Sequence, residues 1–307
     1  MAAVSRQAGP VPGPPDSHRD TFDLWRRSAS APIVRTMLAR PRLDLVATLS
    51  PALHDAARAA GNLALDFFRP GEKTSARLWT KDRGSPVTEA DMAVDEFLKG
   101  RLSRLLPEAG WLSEETADSP ERLSRSIVWI VDPIDGTRAF VGGHSDWSVA
   151  IALLVDGRPL LGVVNAPAHA RFYEAAAGSG ARVNGAPIGV SLRDRIGGAR
   201  VAGPKPLVDS FERRAGERIF RLEKIPSLAL RLARVAEGAV EIGLVSSDAR
   251  DWDLAAADLI VREAGGRVTD LAGNSLVYNR ADPVHGELAA AGAVLHSRVI
   301  EAMTTRS

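Results

Sequence analysis

Residues 127–137 read IVWIVDPIDGT, an uninterrupted apolar run that ends in two aspartates. The apolar part is short, which is typical of a buried strand. Pro133 disfavours a helix at the residue before it and offers no N–H to a sheet, so we expect the strand to end at Asp132. A turn after it can bring Asp135 beside Asp132. These two carboxylates and the carbonyl of Ile134 could then converge at the carboxyl end of a strand, where α/β sheets bind ligands.

Gly136 and Thr137 follow directly, and their backbone N–H groups could bind an anion if the segment that they open is helical. The alternative is an ordinary Asp-Gly turn. The chain offers one for comparison at Asp156-Gly157, which lies between two β-rich runs and has no second acid beside it. Taken alone, the motif supports a ligand site and a turn about equally.

The composition excludes several classes of function. The 307 residues carry a net charge of +1 and include no cysteine. The near-zero charge gives no reason to expect a nucleic acid polymer as a partner, and no apolar run approaches the roughly 18 residues of a membrane span. Without cysteine there are no disulfides, thiolate metal sites or cysteine nucleophiles. This composition fits a reducing compartment, and we predict a cytoplasmic protein.

Familiar phosphate, metal and nucleophile motifs are also absent. No segment matches the P-loop pattern G-x-x-x-x-G-K-[ST], no two histidines are spaced H-x-x-x-H, and G-x-S-x-G is missing. GSGARVNG begins like a dinucleotide fingerprint, but Val183 stands in place of the third glycine, so we predict a hairpin turn there. The remaining chemistry is that of carboxylate oxygens, which suit hard cations such as Mg²⁺.

Hydrophobic periodicity divides the chain into three parts. Residues 1–40 begin with a Pro-, Gly- and Arg-rich stretch, and we predict a disordered or dispensable extension. Residues 41–192 carry two amphipathic helices, at about 43–68 and 88–106, followed by short strands, which predicts an α+β metal-binding subdomain. Residues 193–307 alternate strands and helices, which predicts an α/β subdomain that supplies the helix of WDLAAADLIVREAGG.

Three further segments place acids beside apolar, structured runs: SPVTEAD with Asp91, WLSEET with Glu114 and Glu115, and DWDLAAADL with Asp253. Each has a purely structural alternative at a helix start. Asp91 could complete a capping box with Thr88. The glutamates could occupy the first turn of a helix capped by Ser113, and Asp251 or Asp253 could cap its own helix. Together with the aspartates of VDPIDGT, these places favour one shared site over separate caps.

The segments SPVTEAD, LSEE, WIVDPIDGT and WDLAAADLIVREAGG, in this order, resemble the signature segments of the inositol monophosphatase family. That family comprises Mg²⁺-dependent, lithium-sensitive phosphatases, including bisphosphate nucleotidases and one type of histidinol phosphatase. The resemblance covers about residues 45–303. It implies a layered αβαβα sandwich of the sugar-phosphatase type, with two subdomains and the active site between them. It also implies a small phosphate ester as substrate and, because the family often dimerises, allows for a homodimer.

The resemblance assigns the metal ligands. Glu114, Asp132 and the Ile134 carbonyl would hold one Mg²⁺, and Asp132, Asp135 and Asp253 would hold a second, with Asp132 bridging the two. A third, weaker ion would lie near Glu114, so that two to three ions are expected. Without metal the clustered carboxylates would repel one another, and we expect the site to loosen.

The resemblance also assigns the catalytic residues Asp91, Glu114 and Thr137. The N–H groups of Gly136 and Thr137 would bind the substrate phosphate, and Thr137, paired with Asp91 or Glu114, would orient the attacking water. This assignment agrees with the chemistry, because neutralising charge is the main task when an anionic ester is hydrolysed.

The identity of the leaving group depends on fewer residues. SPVTEAD, the Ser-Glu-Glu triplet, the basic residue after Asp-Gly-Thr and GVVNAP are more similar to the nucleotidases than to the inositol monophosphatases. We therefore expect a 3'(2'),5'-bisphosphate nucleotide such as 3'-phosphoadenosine 5'-phosphate, then inositol 1-phosphate, then histidinol phosphate. Candidate contacts to the leaving group are His144, Asp146, Arg250 and Asp251. Alternatively, these four are simply polar residues of exposed loops. A non-catalytic metal- or phosphate-binding module is the alternative from another class.

Overall fold

A computed structural model describes residues 32–81 and 86–304, with side chains from Asp44 onward. Contacts between Cα atoms divide the chain into residues 1–45 and 46–307, and both large sheets lie in the second unit. The predicted extension at 1–40 falls outside the described residues as far as residue 31, and the backbone of 32–40 is helical. Whether the extension is dispensable therefore stays a prediction, as does the subdomain boundary near residue 192.

The helices of the described residues are α1 (Pro32–Phe67), α2 (Glu89–Leu105), α3 (Thr137–Val141), α4 (Lys205–Ala215), α5 (Leu228–Ala236), α6 (Asp251–Glu263) and α7 (Ala293–Thr304). The strands in the first half are β1 (Leu78–Thr80), β2 (Pro86–Thr88), β3 (Gly110–Ser113), β4 (Ile127–Asp135), β5 (Ser148–Val155), β6 (Arg158–Ala166), β7 (Arg171–Ala176), β8 (Ala181–Val183) and β9 (Ala186–Pro187). Those in the second half are β10 (Arg200–Ala202), β11 (Phe220–Arg221), β12 (Ile242–Val245), β13 (Ala249–Arg250), β14 (Gly266–Asp270), β15 (Val284–His285) and β16 (Leu288–Gly292).

The first large sheet has seven strands in the order β3-β4-β5-β6-β7-β8-β9. Its β3–β4 pair is parallel, and the other neighbours are antiparallel. The predicted hairpin between β5 and β6 is confirmed, since Asp156 and Gly157 both have positive φ angles, of 52° and 71°. The predicted hairpin at GSGARVNG is also confirmed, because Gly178 and Gly180 turn the chain between β7 and β8.

The second large sheet has five strands in the order β11-β10-β12-β16-β14. Strands β10, β11 and β12 are parallel, whereas β16 runs antiparallel to both β12 and β14. The predicted strands at ARVAG, VEIGLV and RVTD are therefore present. Because β14 pairs with β16 on one side only, it forms an edge of this sheet.

Helix α6 forms part of the layer between the two sheets. It contacts β5, β6 and β7 of the first sheet and β14 of the second, and every residue from Leu254 to Val261 is buried, as expected for a helix that is apolar all round. Helices α4 and α7 cover the opposite face of the five-stranded sheet in a separate hydrophobic cluster. On the first sheet, α2 contacts β4, and Asn165 of β6 donates to the Ala57 carbonyl of α1 at 2.9 Å.

The layers therefore follow the predicted αβαβα order. Among the described residues, no helix has the length and apolar character needed to cross a membrane.

Candidate active site

The carboxyl end of β4 differs from the prediction in one respect. The strand does not end at Asp132 but continues through Pro133 to Asp135. Against β5, Asp132 pairs with Ala150 and Asp135 with Ser148, so three steps on β4 match two steps on β5. In a regular strand, side chains three residues apart point to opposite faces, and this bulge brings both carboxylates to the same side. The only sign of this bulge in the sequence is Pro133, which has no N–H group to pair with β5.

Asp132 is the most enclosed acid of the cluster, with 1% of its surface exposed. Its Oδ1 accepts a hydrogen bond from the Ile134 N–H at 3.1 Å, whereas its buried Oδ2 has no hydrogen-bond partner among the described residues. Burial, followed by the charges of Glu114, Asp135 and Asp253, raises the pKa of Asp132 well above its usual range. A buried oxygen that lacks a donor is stabilised by a cation.

Asp135 is held by the start of α5. Its carboxylate accepts hydrogen bonds from the Ser227 hydroxyl at 2.5 Å, the Leu228 N–H at 3.1 Å and the Ala229 N–H at 2.6 Å. These donors lower its pKa, but burial outweighs them and raises the pKa to about 6. Ser227 also caps α5 by accepting from the Leu230 N–H at 3.1 Å. The sequence analysis missed Ser227, although a serine directly before an amphipathic run is a recognisable cap signal.

Asp253 lies in the first turn of α6, where its Oδ2 accepts from the Arg250 N–H at 2.6 Å. Burial and the charges of Asp135 and Glu114 raise its pKa well above the usual range, against the hydrogen bond that it accepts from the Arg250 N–H. Each of Asp132, Asp135 and Asp253 offers an oxygen that lies within 4.8 Å of the others. Carboxylates this close require a proton or a cation between them, and three hard oxygen donors fit Mg²⁺.

Glu114 follows β3 on the parallel neighbour of β4, and its N–H donates to the Val131 carbonyl at 3.3 Å. The glutamates do not begin a helix, so the predicted Ser113 helix cap is wrong. Ser113 instead ends a strand, and its hydroxyl donates to Asp95 of α2. This contact ties the segment after β3 to α2, because a second hydroxyl, that of Thr116, donates to the same carboxylate at 2.5 Å.

Lys81 is a cation that the sequence analysis did not single out. Its ammonium group lies 2.9 Å from Glu114 Oε1 and 2.7 Å from Glu115 Oε1. Burial raises the pKa of Glu115 to about 7, even though Lys81 acts in the opposite direction. Nothing in the local sequence pairs Lys81 with these acids, because the contact forms across different elements.

Asp91 and Thr137 meet as the resemblance implies. Asp91 completes the predicted capping box with Thr88, whose N–H and hydroxyl donate to Asp91 Oδ2 at 2.8 and 2.5 Å. The other oxygen of Asp91 lies 3.3 Å from Thr137 Oγ1, which is also 3.0 Å from the Ile134 carbonyl. Burial raises the pKa of Asp91 to about 6 against its hydrogen bonds from Thr88. Asp91 is therefore both a helix cap and a partner of Thr137.

Gly136 separates the aspartates from α3 and has a left-handed backbone with a φ of 90°. A Cβ atom at this position would lie 3.0 Å from the Asp146 carbonyl oxygen and 3.1 Å from the Ser227 nitrogen. Both the positive φ and this close approach require glycine. The chain can thus turn directly from the strand that carries the two aspartates into α3, which meets the condition that the segment opened by Gly136 and Thr137 is helical.

The acids line a cleft of about 210 Å³. Its walls are formed by Pro86, Glu114, Asp132, Asp135, Gly136, Thr137, Arg138, Lys224, Pro226 and Asp253. Six of these residues were predicted from the sequence to contact metal or phosphate, and Arg138 is the basic residue noted there after Asp-Gly-Thr. Lys224 and Pro226, in the loop before α5, carry no local motif and were missed.

The four candidate contacts to the leaving group are not among the residues that line this cleft. Asp251 is buried and binds His285 Nε2 at 2.7 Å and the Asn279 N–H at 2.7 Å. Asp146 contacts His169 and Arg234. His144 is exposed, and the Arg250 guanidinium lies 3.8 Å from Asp282. Their role in substrate binding stays a prediction.

With this geometry in view, comparison with known proteins is informative. A family model described as the inositol monophosphatase family matches residues 45–306. The chain belongs to this family. A histidinol-phosphatase of Mycobacterium tuberculosis is 38% identical to this chain over 238 residues, which are 73% of this chain and 86% of that protein.

Two further similarities cover other branches of the family. A 3'(2'),5'-bisphosphate nucleotidase CysQ of Aggregatibacter actinomycetemcomitans is 30% identical over 213 residues, which are 66% of this chain and 78% of that protein. The solved structure of an IMPase from Thermotoga maritima has a TM-score of 0.71 and 28% sequence identity, and the match covers 86% of this chain and 96% of that one. The protein is therefore a phosphoric monoester hydrolase of a family in which Mg²⁺ dependence is typical.

Proposed function

We propose that the cleft at the carboxyl end of β4 hydrolyses a phosphate monoester with Mg²⁺, and that the preferred substrate is a 3'(2'),5'-bisphosphate nucleotide. The observation that supports the location is the convergence of Asp132, Asp135 and Asp253, with a buried Asp132 oxygen that lacks a donor. The substrate proposal rests on the basic residues that line the same cleft.

Two to three ions would be held by Glu114, Asp132, the Ile134 carbonyl, Asp135 and Asp253. When bound, Mg²⁺ supplies positive charge opposite the phosphate oxygens and lowers the pKa of a water molecule. The protein's own part is to hold these oxygens in place before substrate arrives. Three backbone or hydroxyl donors from the start of α5 fix Asp135, and the Arg250 N–H fixes Asp253.

Thr137 and Asp91 would orient the attacking water. Thr137 Oγ1 has one proton, which it shares between the Ile134 carbonyl at 3.0 Å and Asp91 Oδ1 at 3.3 Å. When that proton is directed at either oxygen, the Thr137 lone pairs are free to accept a hydrogen bond from water. As the water attacks phosphorus, it would pass a proton to Thr137 Oγ1, while the Thr137 proton directed at Asp91 Oδ1 would pass to that carboxylate, whose raised pKa of about 6 suits a base near neutral pH. The leaving alkoxide would take up a proton from water. The N–H groups of Gly136 and Thr137 would bind the substrate phosphate.

The charge of the cleft favours an anionic leaving group. Lys224 and Arg138 both line the cleft, and neither is among the proposed metal ligands. A bisphosphate nucleotide carries a second phosphate that two basic side chains would recognise. Inositol lacks a second charge, and histidinol is a cation that a basic wall would repel.

Histidinol phosphate is the second candidate, because the 38% identical relative is a histidinol-phosphatase. Removing Lys224 should change kcat/KM differently for the two candidate substrates. If the nucleotide is the substrate, Lys224→Ala lowers its kcat/KM by about tenfold, the value of one charge-assisted hydrogen bond. The kcat/KM for histidinol phosphate stays the same or rises.

The experiment measures kcat/KM for 3'-phosphoadenosine 5'-phosphate, inositol 1-phosphate and histidinol phosphate at saturating Mg²⁺. Lys205→Ala, at the exposed start of α4, is the matched control and leaves all three unchanged. A preference of tenfold or more for inositol 1-phosphate or histidinol phosphate would overturn the nucleotide assignment. A cytoplasmic location and a homodimer remain part of the proposal, the latter to be checked by light scattering.

A further inference from the structure

A second and larger cavity lies at the edge of the five-stranded sheet, away from the acid cluster. We call it the β14 cavity, and its volume is about 440 Å³. The lining residues are Arg262, Gly266, Arg267, Val268, Thr269, Gly273, Ser275, His296, Ser297 and Ile300. Arg262 lies at the opposite end of α6 from Asp253, about 14 Å away at the usual helical rise. This cavity is therefore separate from the active-site cleft.

The strand geometry directs polar groups into the β14 cavity. Val268 belongs to the hydrophobic cluster shared with α6, so its neighbours Arg267 and Thr269 point to the opposite face, towards α7. Thr269 Oγ1 contacts the buried His296 of α7 at 3.0 Å. The cavity lies beside this edge strand, where Ser275 forms an isolated antiparallel bridge with Thr269.

The charges in the β14 cavity are positive and largely uncompensated. Apart from the backbone pairing of β14 with β16, Arg267 has no hydrogen bond or ion pair among the described residues, so its guanidinium is unpaired there. Arg262 has one carboxylate neighbour, Asp258 at 3.3 Å, and the Asp258 carboxylate is shared with the Tyr278 hydroxyl at 3.0 Å. Burial and the charge of Arg267 lower the pKa of His296.

The other nearby carboxylates are engaged elsewhere. Glu263 accepts from the N–H groups of Gly178 and Gly180 at 2.8 and 2.9 Å. Asp270 accepts from the N–H groups of Ala272 and Asn274 within its own turn, at 2.9 and 2.8 Å. Neither acid lines the β14 cavity.

We propose that the β14 cavity binds the tetrahedral dianion of a phosphate-bearing small molecule. Two guanidinium groups provide the charge and the planar donors that phosphate oxygens take, and the hydroxyls of Ser275 and Ser297 supply further donors. Ile300 offers an apolar surface to an organic substituent. The volume falls within the range of small-molecule sites. Inorganic phosphate and an organic phosphate share this chemistry and are distinguished by the test.

The test follows the His296 ring signals by ¹H–¹³C NMR in the Mg²⁺-loaded protein, assigned with a His296→Gln variant. The probes are inorganic phosphate, phenylphosphonate and benzyl alcohol. Phenylphosphonate is chosen because its P–C bond resists hydrolysis in the active site. The expected result is a saturable shift of the His296 signal with either anion and none with benzyl alcohol. Tighter binding of phenylphosphonate than of phosphate identifies an organic phosphate as the ligand class.

Arg267→Gln is expected to weaken this binding by about tenfold, the effect of losing a charged donor, while kcat/KM stays within about twofold of the wild-type value because the sites are distant. Arg298→Gln, on α7 but outside the lining residues, is the matched control. The proposal is overturned if neither anion shifts His296, or if Arg267→Gln binds both anions as tightly as the control. The readout does not depend on catalysis, so its failure is separate from failure of the proposed function.

Discussion

At the scale of single residues, the active site is defined by what Asp132 lacks. The carboxylate is buried and its Oδ2 finds no donor, whereas Asp135 beside it accepts three hydrogen bonds. The Asp132 carboxylate therefore depends on a cation or a proton for its stability, whereas the Asp135 carboxylate is held in place by the protein. In the proposed metal site, Asp135 would thus be positioned by its surroundings, and Asp132 would be stabilised by the bound metal.

The variant Asp132→Asn tests this difference. We expect kcat to fall by about 10³-fold or more, since charge opposite the phosphate is the main source of catalysis. We also expect the Tm of the metal-free variant to equal or exceed that of the wild type, because the uncompensated charge is gone. Asp194→Asn, an exposed acid that does not line the cleft, is the control for both readouts. Retention of activity, or a lower Tm in EDTA, would contradict the role assigned to Asp132.

At Gly136, both the positive φ angle and the lack of room for a Cβ atom require glycine. For Gly136→Ala we expect a loss of about 1–3 kcal/mol in the free energy of unfolding, from the positive φ and the contact with the Asp146 carbonyl. We also expect kcat/KM to fall, because the phosphate-binding N–H groups would shift. Gly178→Ala is a matched control, since its φ is also positive at 78° but a Cβ would meet no atom within 4 Å. Equal effects of the two substitutions on kcat/KM would exclude a role for the close approach.

At the scale of elements, the site joins segments from both halves of the chain. β4 carries Asp132 and Asp135 on its bulge, α6 brings Asp253, and the start of α5 holds Asp135 through Ser227. In the proposed metal site, helix α5 would therefore contribute to metal binding without supplying a ligand.

The variant Ser227→Ala tests this role of α5. It removes a helix cap and one donor to Asp135, so we expect a loss of about 1–2 kcal/mol in stability. We also expect weaker Mg²⁺ binding by isothermal titration calorimetry. Ser119→Ala removes the cap of the short turn at Pro120–Ser124, whose hydroxyl accepts from the Glu121 N–H at 3.4 Å and lies away from the acids. Mg²⁺ affinity that falls no more for Ser227→Ala than for Ser119→Ala would show that capping alone explains the change.

At the scale of the whole molecule, packing encloses several carboxylates within one protein interior. Burial raises the pKa of Asp91 and of Asp135 from 3.8 to about 6, and it raises the pKa values of Asp132 and Asp253 well above their usual range. The metal-free fold therefore holds protons that the unfolded chain would release. In the holo protein, bound cations would take the place of those protons.

This predicts the pH dependence of stability without metal. A group whose pKa is higher in the folded state stabilises the fold below its unfolded pKa and loses that contribution as the pH rises through its folded pKa. The Tm in EDTA should therefore fall as the pH increases from about 4 through about 6 and beyond. Saturating Mg²⁺ should raise the Tm most at the upper end of this range. A Tm in EDTA that rises steadily from pH 5 to 7 would contradict the burial of protonated acids, and Asp132→Asn should show a flatter profile.

Local sequence alone was enough to predict the acids, the buried strand that carries two of them, the capping box at Asp91 and the hairpin at Asp156-Gly157. These features depend on residues close together in the chain, whose periodicity, turn chemistry and caps act locally. The family and its layered fold followed from the order of four such segments. Hence most of the cleft could be named before any coordinates were known.

Only the tertiary structure decided how these parts meet. Four features depend on contacts between distant segments. They are the bulge at Pro133, the hydrogen bonds that Asp135 accepts at the start of α5, the Lys81 pair with Glu114, and the placement of Asp251 and Asp146 away from the cleft. The β14 cavity likewise arises where α6, an edge strand and α7 come together. Local sequence carries no signal for such contacts, because their free energy comes from burial and neighbouring charge that exist only after the layers have packed.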